Sequence, residues 1–96
     1  MTKLPLVFSY NYSNLPFVIS QDWQELEIKK ASVELRADLV AWALFMHEVF
    51  DHETAFGDEA SWQRAVEEYR RLCELLDSAG VDFERDEWWN KKPQIS

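Results

Sequence analysis

The chain has 96 residues, of which 47% are apolar and 15% aromatic, and its formal net charge is −8. That length sets one domain, residues 1–96, and the apolar content excludes a disordered chain, which requires low hydrophobicity. The acidity argues against nucleic acid and anionic membranes as partners and makes a basic protein the natural electrostatic complement.

Acidity concentrates in the second half: residues 1–48 carry six acids and four bases, residues 49–96 twelve acids and six bases. Cys73 is the single cysteine, so no intramolecular disulfide can form. Tyr10, Asn11, Tyr12, Ser13 and Asn14 interrupt the N-terminal apolar run, and no stretch approaches the roughly 20 apolar residues of a membrane span. A cytoplasmic location is therefore expected. The ordered core is expected over about residues 4–89, with a polar tail at 90–96.

In chain order, Leu6, Phe8, Tyr10 and Tyr12 alternate with Val7, Ser9 and Asn11, predicting a strand over 4–12 that opens at Pro5. Ser13-Asn14-Leu15-Pro16 reads as a turn and Phe17-Val18-Ile19-Ser20 as a second short extended run. Residues 21–31 are polar and read as a loop or short strand, with Trp23, Leu26 and Ile28 tucked inward.

Ser32 is a predicted N-cap for a helix from Val33 to about Phe50, and Glu34 suits the positive end of its dipole. Leu35, Leu39, Trp42, Met46, Val49 and Phe50 share one face, and Val33, Ala37, Val40 and Leu44 lie nearly opposite. A helix apolar on two sides is either covered twice or offers one side to a partner. Residues 51–57 form a connection. Asp58 is a predicted N-cap for a second helix ending near Ser78, with Gly80 as a left-handed stop. Trp62, Ala65, Val66, Tyr69, Leu72, Cys73 and Leu76 repeat at helical spacing. The other face carries Arg64–Glu68, Glu67–Arg71 and Arg70–Glu74 at i,i+4 and reads as solvated. Val81–Arg85 alternates as a final strand, followed by Asp86-Glu87-Trp88-Trp89 and a tail with Pro93.

The expected fold is α+β in the order β-α-α-β: a small two- or three-stranded sheet with two amphipathic helices packed on one face. The pattern leaves the strand direction open.

The sequence supports no catalytic, cofactor or metal site, and an enzyme is not expected. His47, Glu48, Asp51 and His52 invite a metal reading, but the histidines are not at the i,i+4 spacing of a zinc-protease helix and no third histidine exists. Cys73 sits on the apolar stripe, where a thiol has no base and is held neutral. Two glycines cannot build a phosphate loop, and the bases are too scattered for a nucleic-acid surface.

Two surfaces are candidate partner-binding sites. One is the second face of the first helix, Val40 and Leu44 flanked by Ala37, Ala41 and His47, which residues 15–28 are apolar enough to cover. The other is the acidic-aromatic end, Asp82, Glu84, Asp86, Glu87, Trp88 and Trp89. Neighbours on a strand face opposite sides, so one of the two Trp is expected at the surface. Acids beside an exposed Trp suit a basic, partly apolar patch.

The succession of strand Leu6–Tyr10, Leu15-Pro16-Phe17, Leu35-(x)3-Leu39-(x)2-Trp42, Phe50-Asp51, Trp62 through Leu76, Val81–Phe83 and Trp88 resembles the short acidic hypothetical proteins common in actinobacterial genomes. It departs from that pattern at residues 53–57, where Ala55-Phe56-Gly57 stands. The resemblance implies no activity. In size, charge and lack of a site the chain is also similar to toxin immunity proteins. The expected function is that of a small inhibitor or immunity/antitoxin-type protein holding a basic partner, such as a toxin or a nucleic-acid-handling enzyme. The alternative is an accessory or assembly module, homodimeric through the first helix.

Overall fold

The computed structural model describes residues 6–12, 15–17, 19, 21–51 and 53–93. The expectations for Pro5, the Ser13-Asn14 turn, Val18, Ser20, His52 and the last residues of the tail lie outside these. The elements run β1 (Val7–Phe8), α1 (Asp22–Ile28), α2 (Val33–Val49), β2 (Phe50–Asp51), β3 (Ala55–Phe56), α3 (Glu59–Ser78) and β4 (Glu84–Arg85). This is a small α+β domain, with three helices and short strands in two small sheets among the described residues. The β-α-α-β order with two helices is thus corrected at two places.

The first correction is α1, where a loop or short strand was expected. The helix has seven residues and is capped by Gln21 rather than by a Ser, Thr, Asp or Asn, the types that mark N-caps most strongly. The Gln24 side chain reaches back to the Gln21 N–H (2.9 Å), as the third residue of a capping box does, and is itself buried. Trp23 and Ile28 pack against the core as expected, but Leu26 points to solvent, 66% exposed.

The second correction is a hairpin in place of the plain connection after α2. β2 and β3 pair antiparallel, Phe50 opposite Phe56 and Asp51 opposite Ala55. The Asp51 carboxylate accepts from the Glu53 N–H (2.7 Å) and the Thr54 N–H (3.3 Å), an Asx turn that reverses the chain. Ala55 completes the reversal with φ of +60°.

Helices α2 and α3 start where their caps predict. Ser32 Oγ accepts from the Leu35 N–H (3.1 Å) and Asp58 Oδ1 from the Ser61 N–H (2.6 Å). Helix α3 ends in a Schellman motif: the Val81 N–H bonds Leu76 O (3.1 Å) and the Gly80 N–H bonds Asp77 O (3.1 Å). Gly80 supplies the required positive φ of +80°.

β1 and β4 pair in parallel, Val7 opposite Glu84 and Phe8 opposite Arg85, which settles the direction the sequence left open. Phe8 also bridges Phe17 on the other side. The predicted strands over 4–12 and 81–85 are shorter than expected, but their inward residues hold: Leu6, Phe8, Tyr10 and Val81 are buried. Trp42 of α2 and Tyr69 of α3 both close on the Phe8 ring, at centroid distances of 5.4 and 4.3 Å. The Tyr69 hydroxyl donates to Phe8 O (2.6 Å) and accepts from the Asp86 N–H (3.2 Å), tying β1 to the chain just after β4.

The predicted solvated face of α3 is exposed, with different pairs. Arg71 bonds Glu68 and reaches Asp38 on α2 (3.3 Å), and Arg64 lies over the Phe45 ring (4.7 Å). Among the described residues no helix is long and apolar enough to cross a membrane.

Candidate functional site

The two surfaces proposed from the sequence meet in the structure. The junction is Tyr10, two residues past β1. Tyr10 is buried, and its hydroxyl lies 3.1 Å from Nδ1 of His47 on α2. Burial pushes the Tyr10 phenol above its usual pKa, with Tyr12 adding to the shift, so the hydroxyl stays protonated.

Trp88 covers Tyr10 from the other end of the chain. Its indole N–H donates to Tyr10 O (2.8 Å), and its ring stacks over the Tyr10 ring with an interplanar angle of 14°. Phe50, the residue that caps α2, meets Trp88 edge-on at 5.5 Å. Tyr12 lies 5.7 Å from Trp88 and 6.3 Å from Phe50.

Tyr12 is a correction to the strand reading. Alternation placed it inward with Tyr10, but its φ of +60° breaks the strand and turns the side chain out. Tyr12 and Trp88 are 50% and 38% exposed. They form an aromatic surface underpinned by buried Tyr10 and Phe50.

Trp88 and Trp89 divide as expected, one out and one in, though in a turn rather than a strand. The Asp86 carboxylate accepts from the Trp88 N–H (3.2 Å) and sets that turn. Trp89 is wholly buried among Trp42, Tyr69 and Phe56, so it is a core residue and leaves the candidate surface.

Four carboxylates precede Trp88 in the chain, the first of them, Asp82, lying where its N–H donates to Glu27 Oε2 of α1 (2.7 Å). Asp82, Glu84, Asp86 and Glu87 are exposed. Among the described residues no Lys or Arg pairs with them; the nearest base in sequence, Arg85, turns to Asp77 (3.1 Å). The Glu87 carboxylate accepts from Asn90 Nδ2 (3.1 Å), a neutral partner.

On α2, Val40, Leu44 and His47 lie on successive turns of one face, leading from Leu15 and Phe17 to Tyr10. Val40 is partly covered, since with Leu15, Phe17 and Ile28 it lines a cleft of about 220 Å³. Leu44 remains 45% exposed. Cover by Leu15, Phe17 and Ile28 therefore reaches Val40, while Leu44 stays exposed.

Among the described residues no three His, Cys, Asp or Glu side chains converge to hold a metal ion. Cys73 is fully buried, and burial pushes its thiol up to about 11. Tyr12 and Phe50 are the site residues sequence reasoning missed. Their only signal was aromatic character near a turn and a helix end. No family model, curated protein or solved structure matches the chain.

Proposed function

We propose that the chain is a small protein-binding protein that neutralises a basic protein partner, as inhibitor and immunity/antitoxin-type proteins do. One observation carries this reading. Half-exposed Trp88 and Tyr12 stand beside Asp86, whose carboxylate accepts from the Trp88 N–H, with Glu87 next to it in the chain; like Asp82 and Glu84 earlier on the same stretch, these acids have no basic partner among the described residues. Exposed aromatics on a rigid base are the usual anchors of protein interfaces. Carboxylates without counter-ions attract Lys- and Arg-rich surfaces and speed encounter with them. A nucleic-acid-handling enzyme fits because its phosphate-binding surface is basic. The proposal assigns no catalytic step and no cofactor.

Affinity capture from lysate of the native host, at low and high salt, tests it. The expected result is one basic protein held at low salt and weakened at high salt, because the attraction between exposed charges is screened. Capture of an acidic partner, or retention indifferent to salt, would contradict the reading.

A second reading, an assembly module that pairs through α2, is favoured by the exposure of Leu44. It predicts a dimer mass by light scattering that reverts to monomer in Leu44→Glu. A monomer in the wild type removes it.

A further inference from the structure

We propose that the cleft between α1, α2 and the residues Leu15, Pro16, Phe17 and Ile19 binds a small carboxylate with an apolar tail, independently of the aromatic surface. Its walls include Phe17, Ile28, Leu39 and Val40, and its volume is about 220 Å³. An apolar cavity of roughly 150 Å³ is enough to hold benzene, and at about 30 Å³ per water-sized unit this one takes a chain of roughly six to eight carbons.

The rim decides the head group. Lys29 of the α1 C-cap and Arg36 of α2 both line the cleft, and among the described residues neither is in an ion pair. Glu25 is the one acid on the rim, so the mouth carries an excess of one positive charge. Positive rim and apolar floor together fit a monocarboxylate, its head in solvent with the two cations and its tail among Phe17 and Val40. The contrast with the whole chain is what makes the assignment specific. A net charge of −8 repels anions and attracts cations. Any preference for the anion has to come from a local site.

Titration of the 15N-labelled protein with hexanoate, 1-hexanol and hexylamine, followed by amide shifts, tests the proposal. The expected result is saturable shifts confined to the cleft, with hexanoate about fivefold tighter than hexanol and hexylamine weakest, the scale set by exposed charge pairs. Arg36→Gln is expected to erase the preference for hexanoate over hexanol. Because Arg36 is exposed, this variant leaves the packing untouched. Val40→Trp is expected to abolish binding of all three, with its fold checked by circular dichroism. Shifts that fail to saturate, equal affinity for hexanoate and hexanol, or a preference that survives in Arg36→Gln would each overturn the proposal.

Discussion

Trp42 and Trp89 sit side by side in the core, rings 5.3 Å apart, yet their indole N–H groups are treated differently. Trp42 Nε1 donates to Ala65 O (3.1 Å), while the buried Trp89 Nε1 has no acceptor among the described residues. Replacement by Phe removes similar volume in both cases. Only at Trp42 does it remove a made hydrogen bond, and at Trp89 it relieves an unmet donor. Trp42→Phe is therefore expected to cost about 1 kcal/mol more than Trp89→Phe, measured by urea unfolding with unchanged m-values. Equal costs would show that volume alone decides.

Cys73 makes a second residue-scale prediction. Burial holds the folded thiol's pKa near 11, above its unfolded value, so the native state keeps a proton that the unfolded state gives up first. The stabilising contribution is complete below the unfolded thiol's range and is lost as pH climbs toward 11. Tyr69, also raised chiefly by burial, acts in the same direction. Unfolding free energy should fall across this alkaline range, and a thiol reagent at neutral pH should label Cys73 only after denaturant is added. Fast labelling of the native protein would contradict its burial.

At the scale of elements, what the sequence made legible was what depends on neighbours in the chain. The caps Ser32 and Asp58, the stop at Gly80 and the apolar stripe of α3 are local patterns, and each lies where expected. Gly80→Ala meets no atom within 4 Å, so its effect isolates the strain of a positive φ. A loss of about 1–2 kcal/mol is expected in thermal unfolding, and no loss would mean the Schellman turn can relax. Helix α1 was not legible because about two turns with a Gln cap give too few repeats to establish a period. The β2–β3 hairpin was hidden for a related reason. Two-residue strands have no alternation to read, and Ala55 occupies a left-handed position where Gly or Asn would have announced a turn.

At the scale of the whole molecule, helix α2 is covered unequally on its two apolar sides, because the segments that could cover the second side reach Val40 and not Leu44. Its Leu39–Trp42–Met46 side takes the core, and Leu44 is left in solvent. The candidate site belongs to the same scale. Tyr10, His47, Phe50 and Trp88 come together from the chain just after β1, α2, its cap and the chain after β4, with partners up to 78 residues apart. Periodicity identified Leu44, His47 and Trp88 as candidates one at a time. It could not show that one buried tyrosine joins them, because that contact depends on the parallel pairing of β1 with β4, which no local pattern encodes.

The most direct test compares affinity capture by Trp88→Ala with capture by Val33→Ala at low salt, each variant first shown to be folded. Val33 is 69% exposed at the start of α2, outside the aromatic surface, so it controls for apolar exposure in general. The account predicts that a basic partner is retained by wild type and Val33→Ala and lost by Trp88→Ala. Undiminished capture by Trp88→Ala would contradict it and place the interaction elsewhere on the molecule.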